Sequence, residues 1–237
     1  MEYKINGDNL EVLTLKIGPN DTIYGEAGAL TYMSGNIEMK TEASGGIIKS
    51  LKRKFSGESF FLTRFESAWE EGVLAFAGKS PGRILPLHLQ PGIEYIAQKD
   101  AFLCAEEDID LDIHVKKKLG KGLFGGEGFI LQKLSGTGKA FLHIPGDLIE
   151  EELKADQTLK VSTGHVAAFE PSIGFDIDRT GGIRSSLFSG QGLFMTTLQG
   201  PGKVWLRSMT LKDLASSLQP YLPKKKKNKK KFSKNIS

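Results

Sequence analysis

Cysteine is almost absent from this chain. Cys104 stands alone, so no intramolecular disulfide can form, and the lack of a disulfide framework fits an intracellular, cytoplasmic protein. Cys104 lies in the apolar stretch Ala101-Phe-Leu-Cys-Ala105, where a thiol reads as a small buried hydrophobe rather than a nucleophile. Long apolar runs are missing too. Nothing approaches the ~18 residues that a membrane-spanning helix needs. The opening Met1-Glu-Tyr-Lys-Ile-Asn-Gly7 has no apolar core of a secretory signal.

The motifs of common catalytic chemistry are also lacking. The four histidines, His88, His114, His143 and His165, show neither His-x-His nor His-x-x-x-His spacing, so no zinc-helix or cupin-type ligand set is visible. There is no Gly-x-Ser-x-Gly nucleophile elbow. Gly120-Lys-Gly-Leu-Phe-Gly125 satisfies Gly-x-Gly-x-x-Gly by letter, but a β-like run follows it instead of the helix that would receive a phosphate. Gly138-Lys139 lacks the other residues of a P-loop. The expectation is a protein that is not an enzyme and uses no cofactor and no metal; an enzyme with a site built at an interface is the remote alternative.

What the chain does have is one stretch written three times. It reads Phe55-Ser-Gly-Glu-Ser-Phe-Phe-Leu62, Phe124-Gly-Gly-Glu-Gly-Phe-Ile-Leu131 and Phe188-Ser-Gly-Gln-Gly-Leu-Phe-Met195. Gly57, Gly126 and Gly190 are equivalent, and Ser59, Gly128 and Gly192 follow two places on. A Gly-x-small step before an apolar run reads as a tight turn or bulge entering a strand covered on both faces. Glu58 and Glu127 give way to Gln191, which suits a turn-stabilising acceptor better than an acid–base group.

The similarity extends outward. Glu26 to Ile37 aligns with Gln98 to Ile109 and Ser162 to Ile173, while Gly72, Gly138 and Gly202 open equivalent downstream runs. The central glycines are 69 and 64 residues apart, longer than the ~20–50 residues of most solenoid units. Units this small are marginal alone. The prediction is therefore an all-β fold: one body over 1–222 made of three β-sandwich-like repeats with pseudo-threefold symmetry, at about 1–80, 81–155 and 156–209. Leu62, Leu131 and Met195 are expected to be equivalent and buried.

Individual segments add detail. Residues 9–17 read as the first strand. Asp108-Ile-Asp-Leu-Asp-Ile-His-Val115 alternates strictly, placing Asp108, Asp110, Asp112 and His114 in a row. Residues two apart on a strand are ~6.5 Å apart, so this row is a solvated face and does not converge on one ion. Pro145 to Leu153 suggests a helical turn capped by Asp147. Thr210-Leu-Lys-Asp213 resembles a capping box, and Leu211, Leu214, Ala215 and Leu218 repeat at helical spacing. This predicts a C-terminal helix over 210–219 docked on the β body, with partner binding as the alternative.

Charge is segregated. The whole chain carries 32 basic and 28 acidic residues, and eight lysines fall after residue 222 with no acid among them. The body is thus net −4 and the tail +8. Residues 223–237, including Lys224, Lys225, Lys226 and Lys227, are expected to be disordered. Two further basic segments hold Lys52, Arg53 and Lys54, and Lys116, Lys117, Lys118 and Lys121; Arg179 and Arg184 are their weaker counterpart. These are either solvated hairpin loops or anion-facing loops gathered on one rim.

The stretches Ala27-Gly-Ala-Leu-Thr-Tyr-Met-Ser-Gly-Asn36, Ser56 to Leu62, Leu187 to Gly192 and Gly200-Pro-Gly-Lys-Val-Trp-Leu206 resemble the altered inheritance of mitochondria protein 24 family, over about residues 3–210. The resemblance implies a fold similar to the tryptophan RNA-binding attenuation protein, in three repeats, and no catalytic residues. It also implies relatives that organise the mitochondrial inner membrane. Two functions follow as expectations: a non-enzymatic scaffold or binding module, peripheral at an anionic membrane surface, or an RNA-binding protein. A homo-oligomer is expected, because glycine-rich β repeats leave strand edges that need covering.

Overall fold

The computed structural model describes residues 1–26, 28–42, 62–117, 129–179 and 194–223. After β1 (Glu2–Asn6), one six-strand order occurs three times. The first repeat holds β2 (Val12–Ile17), β3 (Thr22–Glu26), β4 (Leu30–Met33), β5 (Ile37–Glu42), β6 (Leu62–Ser67) and β7 (Gly72–Ala77). The second holds β8 (Gly82–Leu89), β9 (Tyr95–Gln98), β10 (Phe102–Glu106), β11 (Ile109–Lys117), β12 (Phe129–Gly136) and β13 (Gly138–Pro145). The third holds β14 (Leu148–Leu153), β15 (Thr158–Ser162), β16 (Val166–Phe169), β17 (Gly174–Arg179), β18 (Phe194–Gln199) and β19 (Gly202–Arg207). A single helix, α1 (Leu211–Leu218), follows among the described residues.

Within every repeat the sixth strand pairs with the first and third. The fifth pairs with the second and fourth. Two three-stranded half-sheets thus face each other across a core. In the first repeat Leu13, Leu15, Leu74 and Phe76 meet Ile23 and Phe65, with Phe65 and Phe76 edge-to-face at 5.4 Å. In the third, Phe175 stacks on Phe169 at 5.4 Å.

Consecutive repeats share a sheet. β3 of the first pairs with β10 of the second, and β9 of the second with β16 of the third. This gives the six-stranded sheets β5-β6-β3-β10-β13-β8 and β11-β12-β9-β16-β19-β14. Sharing explains why β13 is apolar without alternation. Ala140, Leu142 and Ile144 fill its own repeat, while Phe141 points the other way into the first repeat's core. Each third strand carries a register shift at the same place, past Thr31, Leu103 and Ala167, a bulge kept through all three repeats. The repeats also touch through isolated bridges, Leu10 to Gly82 and Gly82 to Gly146. A β-carbon at Gly82 would stand 2.3 Å from the carbonyl oxygen of Ile144, so only glycine lets the backbones approach there.

The all-β, threefold-repeated fold is as expected, and several local expectations are corrected. The strand expected over 9–17 forms as β2 from Val12 on, and the first strand is β1 before it. Its Tyr3 packs edge-on against Phe141 at 5.1 Å. The helical turn over 145–153 is strand β14, because pairing with β19 along its whole length outweighs the helix preference of Glu150, Glu151 and Glu152. That pairing also makes β14 the first strand of the third repeat, which begins at 148 rather than near 156. Leu62, Leu131 and Met195 are equivalent by register, opposite Glu26, Gln98 and Ser162. Leu62 and Leu131 are buried, but Met195 is only half-buried. Its partner strand β15 ends its sheet, so no neighbouring repeat covers that side.

Candidate functional site

The equivalence of the repeats sets the basic segments in equivalent places. Residues 43–61, 118–128 and 180–193 each connect the fourth strand of a repeat to its fifth. Lys52, Arg53, Lys54, Lys118, Lys121, Gly57, Gly126, Gly128, Gly190 and Gly192 lie in these connections, outside the described residues. Lys116 and Lys117 close strand β11 at the start of one such connection. Lys224, Lys225, Lys226 and Lys227 also lie outside the described residues.

The segment leading to those lysines is described and departs from expectation. Thr210 caps α1: its Oγ1 accepts from the Asp213 backbone N–H at 3.1 Å and donates to the Asp213 carboxylate at 2.6 Å. The helix is tied to the body at its base. There His165 Nδ1 donates to the Arg207 carbonyl at 2.7 Å while Nε2 stands 3.8 Å from Asp213. The apolar stripe is docked only in part, with Leu214 partly buried at mid-helix. No α1 residue is buried, Leu211 and Leu218 are about half exposed at 48% and 50%, and Tyr221 and Leu222 beyond them are more so. A largely exposed amphipathic face therefore lies immediately before the lysine run.

Other candidate groups are structural. Cys104 is fully buried, and burial pushes its thiol well above the usual range. Ile109 and Leu111 fill the core while Asp110 and His114 face outward, but Asp108 lies in the turn before β11 and the register with β12 shifts at His114, so the expected continuous row is broken at both ends. Among the described residues no three metal-ligating side chains converge. Glu150 accepts from Lys203 at 2.9 Å and from the Trp205 indole at 2.8 Å. These bonds hold its carboxyl below the ordinary range, which makes it a fixed anion orienting Trp205 against Tyr95. Buried Arg207 donates from Nε to the Gly164 carbonyl at 2.7 Å, and desolvation pulls it down to about 10.

One device was missed in the sequence. Ser34 and Glu170 follow the third strand of their repeat, and Glu106 ends it. They accept from the backbone N–H of Val73, Lys139 and Lys203 at 2.8, 2.6 and 3.0 Å. The role is common to all three repeats, but the side chains differ, so no motif marks it.

The architecture defines an all-β protein of three fused sandwiches. A family model described as Mitochondrial biogenesis AIM24 matches residues 3–209, and the chain belongs to that family. An uncharacterised protein of Streptococcus pyogenes serotype M6 is 28% identical over 210 residues, spanning 85% of this chain and 83% of its own. A Verticillium alfalfae protein named altered inheritance of mitochondria protein 24, mitochondrial, is 25% identical over 202 residues, and the chain spans about half of that relative, 51%. A crystal structure of a Streptococcus pyogenes protein shares the fold, with a TM-score of 0.77 at 24% identity over 93% of this chain and 99% of that one. Among the described residues, no helix is long and apolar enough to cross a membrane.

Proposed function

We propose that the protein is a non-enzymatic β scaffold that rests on anionic membrane surfaces through its C-terminal segment. One observation carries this: Leu211 and Leu218 of α1 and Tyr221 and Leu222 beyond it are exposed, and a run of eight lysines follows within two residues. An amphipathic helix lies in the interface with its apolar side among the acyl chains. Each lysine near an anionic leaflet adds ~1 kcal/mol. Either signal alone is weak, and joined they give reversible anchoring. The remainder of the chain, at net −4, repels an extended polyanion more than a surface that only the tail touches. The basic connections also lack interleaved aromatics for stacking bases. RNA is therefore the second reading.

The test is sedimentation with vesicles of phosphatidylcholine alone or with phosphatidylserine, at low and physiological salt. Single-stranded RNA binding is measured in parallel. The full chain should bind the anionic vesicles. A 1–222 truncation should lose that binding, and a Leu211→Ser/Leu218→Ser variant should bind more weakly at physiological salt. Equal binding by the truncation refutes the anchor, and tighter binding to RNA than to vesicles at physiological salt selects the second reading.

A further inference from the structure

Two junctions of one kind join the three repeats, and a third of that kind is left unmade. Each made junction pairs the second strand of one repeat with the third strand of the next. Cys104 lies opposite Gly25 and Ala105 opposite Tyr24; in the next junction Ala168 lies opposite Ala97 and Phe169 opposite Ile96. All eight of these residues lie within the folded interior of the two shared sheets. The corresponding strands left over are β4, of the third-strand kind, and β15, of the second-strand kind. Each ends its own sheet.

The surfaces differ as the missing pairing requires. Tyr32 and Met33 occupy the places of Cys104 and Ala105, and they are 53% and 36% exposed while those counterparts are buried. Lys160, in the place of buried Tyr24 and Ile96, is exposed. The same break recurs nearby: Leu10 and Gly146 each bridge to Gly82 but not to one another, and Leu10 is exposed. The fourth strands β5, β11 and β17 are edges in every repeat, and the first strands β8 and β14 are edges because β1 covers only their counterpart β2. β4 and β15 are the pair whose counterparts are joined elsewhere in the chain.

We propose that β4 of one copy pairs antiparallel with β15 of a second copy, repeating the internal junction between molecules. The chain itself shows that these two kinds of edge fit. An extended strand edge bearing large apolar side chains also demands a partner strand. Transferring the internal register sets Tyr32 opposite Val161 and Met33 opposite Lys160. The contact is head-to-tail, one edge meeting a different edge, and the growing assembly retains one free edge of each kind until a ring closes. This goes beyond membrane attachment and does not depend on it.

The experiment is sedimentation velocity across micromolar concentrations, with the full chain in the absence of lipid. A mass above 25.9 kDa that rises with concentration is expected. Met33→Lys sets like charges opposite one another and should weaken association about fivefold or more. Met33→Lys/Lys160→Glu should restore it. Both positions are exposed, so unchanged circular dichroism and melting temperature are expected and checkable. In a mixture of Met33→Cys and Lys160→Cys single variants under mild oxidation, a disulfide-linked dimer joining one of each is expected. A monomer at every concentration overturns the proposal. So does association that Met33→Lys leaves unchanged, or a chain carrying both cysteines that links only within itself.

Discussion

Leu131 gives the sharpest test of how the three repeats are assembled, because the sequence makes it the equal of Met195 and the tertiary structure does not. Leu131 is fully buried in the core of the third repeat although it belongs to the second. Leu131→Ala removes three carbons from that core, a transfer loss of ~2.4 kcal/mol at about 0.8 per methylene. The cavity left in a well-packed junction raises the cost into the observed ~2.7–5 kcal/mol range. Met195→Ala, at a half-buried position on β18, should cost about 1 kcal/mol, since roughly half of its transfer term is already forfeited to solvent. Urea unfolding followed by Trp205 fluorescence measures both. In melting temperature the contrast is ~5–20 °C for Leu131→Ala against ~2–4 °C for Met195→Ala, using about 2–4 °C per kcal/mol for a chain of this size. Equal costs would refute the reasoning that shared sheets bury the first two equivalents and leave the third at an open edge.

His143 is buried, with its Nε2 3.0 Å from the Ser80 carbonyl, and burial holds its pKa below the ordinary value of 6.5. The unfolded chain therefore takes up the proton first. Stability should be intact above pH 6.5 and fall as pH drops through 6.5 toward the lower folded value. A His143→Gln variant, which keeps a donor for Ser80, should lack that slope in urea titrations at pH 7.5 and 5.5; an identical loss in both proteins would remove His143 as its source. Cys104, fully buried with its thiol pushed well upward, should label with a thiol reagent only at the rate of global unfolding. Rapid stoichiometric labelling of the native protein would contradict its place between β3 and β13.

The sequence by itself determined the strand-rich class, the threefold repetition and the helix cap at Thr210. Each of these is written in local terms: alternation, glycine at turns, a capping side chain three residues from its partner. Repetition of a motif carries the equivalence of Leu62, Leu131 and Met195, because equal sequence positions take equal register. Tertiary structure decided the rest. Glu150 to Glu152 read as helix formers until β19 supplies a ladder for them. Leu211 and Leu218 read as a docking face, yet whether a surface exists to receive them depends on strands far away in the chain. The exposure of Tyr32 and the burial of Cys104 could not be told apart from composition. They stand at the same place in their repeats, and what separates them is that β10 pairs with β3 while β4 ends its sheet.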